Sequence, residues 1–414
     1  MTTPRVVVVG SNHVYAPVAI RERLAFSGEA LAEGLRALHG RLGEGMIVST
    51  CNRTEIYAVE SGELNARDEI FEFLASYHSV PTHVLTSASY SHSGQEAVNH
   101  LFRVASGLDS LVLGEPQILS QIRKSLDQAR ETGSVGPVLQ RLATDALRTG
   151  KRARTETDIS RNRVSIAHAA VDLAVHELGG LSGKTVLLLG AGKMASLTGK
   201  LLRSHRIGEL LVVNRSLPRA RELAQAVGGE AVAVSGLAQA IARADLVVGA
   251  VMVDEPMVGA KHIDNRSRPL LMVDISVPRS IASECEAIEW VRVRDIDALE
   301  PLAAATRRQY ADEVVKVEIL VKSAVDEFGR WARGRAATQA ISQVRQHADD
   351  IRDAEVERAL RRLSHLSTRD QNLVRALANG VTRKLVHDPI LALREANTVD
   401  ESEQILRILG VEPE

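Results

Sequence analysis

Aromatic side chains make up only 3% of the 414 residues, so the cores have to be built from Ala, Val, Leu and Ile. That composition suits helices and buried parallel strands better than an aromatic-rich β-sandwich. Cysteine is nearly absent: Cys51 and Cys285 cannot make a disulfide framework and suit a reducing cytoplasm. No apolar run approaches the ~18 residues that a membrane span needs. The first such run, Val6 to Val9, is too short for a signal-peptide core. A soluble, cytoplasmic protein is expected. An excess of one charge is missing too, since 51 Lys and Arg against 52 Asp and Glu leave a formal net charge of -1. Any nucleic-acid partner would have to be held by local basic patches. No metal site is expected.

What is present falls into three regions, as a chain of this length should. The first mixes β-like runs at 5–10, 45–50 and 56–59 with helical spacing at 30–39, 68–78 and 94–106, an α+β pattern. In the second, buried strands at 184–190, 210–214, 245–248 and 270–274 alternate with helices, which indicates a doubly wound parallel sheet. The third has no proline from 302 to 388 and is helical throughout. In it Val314, Val317, Val321, Ala324, Phe328 and Trp331 form a narrow seam at alternating spacings of three and four. Ile341, Val344, Ala348 and Ile351 repeat it. A dimerisation arm is the preferred reading of this seam over packing within the chain.

Gly190-Ala191-Gly192-Lys193-Met194-Ala195 lies between a buried strand and an amphipathic helix, the setting that makes a Gly-x-Gly turn meaningful. The first glycine permits the tight turn and the second lets a pyrophosphate approach the backbone and rest on the helix N-terminus. Ala195 still allows close helix–strand packing. After the next strand an NAD enzyme usually places an acid on the ribose 2′-hydroxyl. Asn214-Arg215-Ser216 instead supplies a guanidinium for a 2′-phosphate, which favours NADPH. A solvated loop arginine is the plain alternative.

Cys51 follows a short strand in the polar loop Ser49-Thr50-Cys51-Asn52-Arg53-Thr54-Glu55. Unpaired cysteines are usually small buried hydrophobes, but these neighbours do not suit a core, and Arg53 could favour a thiolate. Cys285 stands between Glu284 and Glu286, which discourage one. Cys51 is the better nucleophile.

With that loop, Gly10-Ser-Asn-His13-x-x-Ala16-Pro17-Val18-x-x-Arg21-Glu22 and Gly107-Leu-Asp-Ser-Leu-Val-Leu-Gly-Glu-Pro-Gln-Ile118 resemble glutamyl-tRNA reductase signatures. So do Lys151-Arg-Ala-Arg-Thr-Glu-Thr157, Val273-Asp-Ile-Ser-Val-Pro-Arg279 and Arg383-Lys-Leu-Val-His-Asp-Pro389. They stand in family order from end to end of the chain. The resemblance implies a V-shaped α/β multidomain homodimer joined through its C-terminal helices. Residues 1–155 would be the N-terminal α+β catalytic domain. Residues 156–300 would be the Rossmann-like NADPH domain, with the leading part of a spinal helix at 156–180. Residues 301–414 would continue the spine into an all-α dimerisation domain.

It also implies NADPH-dependent reduction of glutamyl-tRNA to glutamate-1-semialdehyde through a Cys51 thioester, the first step of tetrapyrrole synthesis. Thr50, Asn52 and Arg53 would belong to the glutamate-recognition loop, and Ser110, Glu115, Pro116, Gln117 and Gln121 would be further substrate contacts. His100 matches a histidine needed for full activity, although its apolar helical neighbours read as those of a structural one. From chemistry, Arg53 can pair with the glutamyl carboxylate and Glu115 can take the α-ammonium. Delivery of the aldehyde to glutamate-1-semialdehyde aminotransferase is implied as well, without a residue signature.

Two stretches depart from the family pattern. Residues 248–253 replace its usual Ser/Thr-rich run, and 335–340 lack a proline, so the spine should be straighter. The best basic tract for tRNA runs through Arg141, Arg148, Lys151, Arg152, Arg154, Arg161 and Arg163. The rival readings are a small-molecule dehydrogenase like shikimate dehydrogenase and a non-catalytic dimeric scaffold. The intact Thr-Cys-Asn-Arg loop argues against both.

Overall fold

A computed structural model of the chain describes residues 5–60, 64–115, 117–160, 165–263, 268–396 and 399–411. Pro116, Arg161 and Arg163 lie outside the described residues.

The run of four valines makes β1 (Arg5–Asn12) a strand buried on both faces, which only a central position allows. It pairs antiparallel with β3 (Arg53–Glu60), which also pairs with β2 (Gly45–Ser49), and on its other side with β4 (Tyr90–Ser93). The order is β2-β3-β1-β4. Around it lie α1 (Val18–Arg21), α2 (Gly28–Leu42), α3 (Ala66–His78), α4 (Thr82–Ser87), α5 (Gln95–Ala105), α6 (Gln117–Glu131) and α7 (Pro137–Glu156). The helices read from apolar spacing are there within a few residues. Strand β4, whose Tyr-Ser-His-Ser sequence carries no apolar alternation, is an addition.

The second sheet is parallel and six-stranded, in the order β10-β9-β8-β5-β6-β7. Its strands are β5 (Thr185–Leu189), β6 (Glu209–Val213), β7 (Glu230–Val232), β8 (Leu246–Gly249), β9 (Leu270–Asp274) and β10 (Val291–Asp295). The four central strands are those seen in the sequence; β7 and β10 are short, partly polar edge strands with little pattern to read. Helices α8 (Ile166–Leu178), α9 (Lys193–Ser204), α10 (Leu217–Val227) and α11 (Leu237–Arg243) cover its faces. Order reverses between β5 and its neighbours β8 and β6, and a doubly wound sheet opens its crevice there.

Residues 156–180 do not lead into a spine. Helix α7 ends at Glu156, and α8 is a separate helix whose Ala169, Ala170 and Ala174 pack on the parallel sheet. The spine is α13 (Ala311–Arg362), a single helix of 52 residues that follows α12 (Glu300–Gln309) and runs unbroken through 335–340. Its C-terminal half meets α14 (Thr368–Leu385), α15 (His387–Glu395) and α16 (Val399–Ile408).

The first part of the seam on α13 packs within the chain. Val317, Val321, Ala324 and Phe328 are buried in the core of the first domain against α5 and α7, with Phe102 edge-on to Phe328. Further along, Ala340 and Val344 close on Leu393 and Leu406. Each buried Val, Leu or Phe adds roughly 1.5–3 kcal/mol to the union of spine and core. The unpartnered stripe is instead on α14, where Leu373, Leu377, Val381 and Leu385 recur every four residues, 69%, 69%, 49% and 71% exposed. No helix among the described residues is long and apolar enough to cross a membrane.

Candidate active site

The β2–β3 connection presents Cys51. Thr50 N donates to Arg53 O (2.8 Å), while Thr50 Oγ1 accepts from the backbone N–H groups of Asn52 and Arg53 (both 3.2 Å). These bonds leave Cys51 at the tip of a closed turn, half-buried, its side chain against the core of the second domain.

Alternation along β3 puts Arg53, Glu55 and Tyr57 on one face, and all three are buried. Arg53 Nη1 pairs with Glu55 Oε1 at 2.6 Å, and Nη2 donates to Asp109 O. Glu55 also accepts from Tyr57 (2.6 Å), Tyr90 (2.5 Å) and His100 Nε2 (2.9 Å). Burial alone would raise the Glu55 pKa; Arg53 first, then His100 and the hydrogen bonds, override it and hold the carboxyl well below the usual range. Gly10, across the sheet, makes room: a Cβ there would lie 2.7 Å from Glu55 Cγ and 3.0 Å from the Tyr90 hydroxyl. Both terminal nitrogens of Arg53 therefore donate within the protein.

His100 belongs to this network and lines a cavity of about 400 Å³ with His13, Tyr90, His92, Arg103, Asp109 and Arg307. Cys51 faces a different space, a cleft of about 470 Å³ between the two domains. Thr50, Gln117, Gln121, Gly192, Lys193 and Met194 are on its walls. Ser110 and Glu115 are buried on the strapping loop 107–115, Glu115 close enough to act on Cys51, and Asn52 is buried in the turn. That loop is tied down by Arg307, which donates to Ser110 O at 3.2 Å, and by Arg154, which donates to Glu115 O at 2.8 Å.

Burial, and then Glu115, push the Cys51 thiol up to about 12, against the pull of Arg21 and Arg53. Burial raises Glu115 to about 7, opposed by Arg53 and Arg154. The cleft thus holds a neutral thiol beside a carboxyl that an incoming cation would ionise.

The opposite wall fits a dinucleotide. Gly190 has a φ of +110°, and a Cβ there would fall 2.4 Å from Ala250 O. At Gly192 a Cβ would meet nothing within 4 Å, so the space before the turn is open. Gly192 is the N-cap of α9 and no side chain caps the helix, which leaves backbone N–H groups for an anion. Ala191 packs at the edge of the core and Ala195 is fully buried against the sheet. Asn214 Nδ2 holds Ser216 O at 3.1 Å, shaping the loop after β6, and the exposed Arg215 reaches across the crevice to Met252 O at 3.4 Å.

In the basic tract Lys151 is exposed, while the described arginines have partners. Arg141 and Arg148 pair with Asp145, Arg152 with Glu156, and Arg154 is committed to backbone carbonyls. Residues spaced at i+3 and i+4 on α7 pair on their own helix face. Sequence reading also gave no role to Glu55, Arg21 or Glu22, although each stands in a motif it singled out. Arg307 and Asp297 carried no signal.

Residues 9–157 match the family described as glutamyl-tRNAGlu reductase, N-terminal domain. Residues 172–302 match shikimate / quinate 5-dehydrogenase, and 316–410 the glutamyl-tRNAGlu reductase dimerisation domain. Glutamyl-tRNA reductase of Syntrophotalea carbinolica is 38% identical over 94% of this chain and 89% of its own length. That of Bacillus subtilis is 37% identical over 97% of this chain and 90% of its own. Among solved structures, glutamyl-tRNA reductase from Methanopyrus kandleri aligns over 98% of both chains, with 33% identity and a TM-score of 0.55.

Proposed function

Because the chain belongs to the glutamyl-tRNA reductase family of oxidoreductases, we propose that it reduces glutamyl-tRNA with NADPH, carrying the glutamyl group on Cys51 as a thioester. The observation that carries this reading is the shared cleft: Cys51 on one wall, the Gly190–Ala195 turn on the other.

The Cys51 thiol gives up its proton as its sulfur attacks the ester carbonyl carbon, the bond to the ribose oxygen breaks, and the proton leaves on the tRNA oxygen. NADPH, when bound, supplies a hydride to the thioester carbon. The carbon–sulfur bond then breaks, and glutamate-1-semialdehyde is released as the thiol is restored. Thr50 and Asn52 hold the turn, while Gln117 and Gln121 offer amides to the glutamyl group. Glu115 meets the α-ammonium, and Arg53 supplies positive potential without leaving Glu55. The closed walls keep water from the thioester. In this reading His100 orients Glu55, and through it Arg53, rather than touching the reacting carbon. The aldehyde product calls for an aminotransferase downstream.

Mass spectrometry of the protein incubated with glutamyl-tRNA tests the scheme. A glutamyl adduct on Cys51 that disappears when NADPH is added supports both half-reactions; no adduct with intact charged tRNA sinks the thioester.

Arg215→Ala should lower the preference for NADPH over NADH by about 10- to 100-fold, since a charge-assisted contact to the 2′-phosphate is lost. Paired kcat/KM values for the two cofactors read this directly. An unchanged ratio would move 2′-phosphate recognition elsewhere.

The dimer forms through α14. Leu377→Glu places a charge in the apolar stripe of both copies and should raise the dissociation constant at least ~100-fold. Light scattering across a dilution series would show monomer, and a stable dimer would remove α14 from the interface.

A further inference from the structure

Helix α1 and the 3-10 turn Glu22–Leu24 sit behind the cysteine loop and face the second domain. Arg21, 3% exposed, is the centre of this contact. Its Nε donates to Ala16 O at 3.1 Å; its Nη1 donates to Cys51 O at 3.0 Å and to Asn52 Oδ1 at 3.3 Å. Its Nη2 pairs with Oδ1 of Asp297, on the 3-10 turn after β10. The other Asp297 oxygen accepts from Val18 N at 2.9 Å. One residue on, Glu22 receives Arg279 bidentately, at 3.0 and 2.7 Å.

One guanidinium thus bonds the peptide of the nucleophile on one side and a carboxylate of the nucleotide domain on the other. Only arginine has the fan of fixed donors for this; a lysine ammonium is a point charge on a flexible stem. Around Arg21 the cross-domain contacts are polar and charged, the kind found where domains move against one another, beside an apolar contact of Val18, Leu111 and Val112 with the core of the second domain. With Asp297 engaged, Arg21 is neutralised and four of its five N–H groups are bonded. With Asp297 withdrawn, its charge is left to the cysteine loop. The other ionisable groups facing Cys51 are Arg53 from β3, Glu115 from the strapping loop, and Lys124 and Lys193 on the cleft walls.

We propose that Arg21 is a positioning residue that transmits docking of the nucleotide domain to the cysteine loop. Domain separation leaves its charge to the Cys51 thiolate for acylation, and docking of Asp297 fixes the Cys51–Asn52 turn for hydride transfer. The proposal rests on the reading of Cys51 as acyl carrier and adds an order of events: the thioester forms with the domains apart and is reduced with them together.

The test measures iodoacetamide alkylation of Cys51 against pH in the full-length protein, without tRNA or cofactor. Removing the Asp297 charge should lower the midpoint, and removing the Arg21 charge should raise it. Asp297→Asn and Arg21→Ala are therefore expected to shift it in opposite directions, each by about one pH unit, and Arg21→Lys to return it toward wild type. In single turnovers with glutamyl-tRNA and NADPH, Asp297→Asn should send about ten-fold more of the thioester to hydrolysis. A merely structural role would change the melting temperature and leave the alkylation midpoint in place. Midpoints that move together, or not at all, overturn the proposal, as does an unchanged hydrolysis-to-reduction ratio. Should Arg21→Ala not fold, the sign of the Asp297→Asn shift decides alone. If wild type forms no glutamyl adduct, the acyl-carrier reading fails, while the alkylation arm still decides whether Arg21 couples the domains.

Discussion

Cys51→Ala is expected to reduce glutamyl-tRNA at least ~10⁴-fold more slowly than wild type, because nothing then takes up the glutamyl group. The loss should appear in kcat, with melting temperature and NADPH binding close to wild type. The reason is local: Cys51 packs only at the edge of a core, on a turn held by Thr50 and Arg53 rather than by its own sulfur. Cys51→Ser should be as inactive in reduction, since an oxygen ester accepts hydride far less readily than a thioester. Single-turnover assays on both variants, with circular dichroism melts alongside, make the comparison. Substantial reduction by the serine variant would show that the sulfur is not the acyl carrier.

The second large effect is on stability. Glu55→Gln leaves the Arg53 guanidinium buried without its counter-charge, and such a break costs about 3–5 kcal/mol. Thermal and denaturant melts would measure it, and a change under 1 kcal/mol would mean that another acceptor takes over Arg53. The pH dependence has a definite sign. Glu55 is held below its unfolded-state pKa, so its contribution is complete above about pH 4.3 and declines as pH falls from there toward the folded value. The stability difference between wild type and Glu55→Gln should therefore be largest at neutral pH and shrink in acid.

Both outcomes trace back to parts of the sequence that were unequally legible. The parallel sheet announced itself through its four central apolar strands and the Gly190–Gly192 turn, because a strand buried on both faces leaves no room for polar residues. Edge strands β7 and β10 carry mixed residues, and β4 is polar, so their pairing depends on neighbours distant in sequence. The α13 seam was legible as a seam, but periodicity does not say what covers a face. For its first part the partner is α5 and α7 of the same chain.

In the site, Cys51 was reached by comparing its neighbours with those of Cys285, now seen as fully buried behind Val258. Glu55 stands in the same motif with nothing in its neighbours to mark its role. A glutamate in a strand reads as solvent-facing until its face is known to carry Arg53, Tyr57 and, from other strands and helices, Tyr90 and His100. The arginines of α7 misled in the opposite direction, because their partners Asp145 and Glu156 sat in the same tract. Pairing at i+3 and i+4 occupies Arg141, Arg148 and Arg152 but leaves the tract's net excess of basic residues in place.

The single helix of 52 residues has a hydrodynamic consequence. At about 1.5 Å of rise per residue it is ~78 Å long, roughly twice the ~30–40 Å breadth of a compact 150-residue domain. One end is anchored in the first domain's core and the other carries a small bundle, so each protomer is a rod with unequal weights. Friction rises with such an axial ratio at constant mass. The protein should therefore elute from a sizing column ahead of globular standards of equal mass, and its scattering profile should show a maximum dimension no smaller than the length of one rod plus its terminal masses.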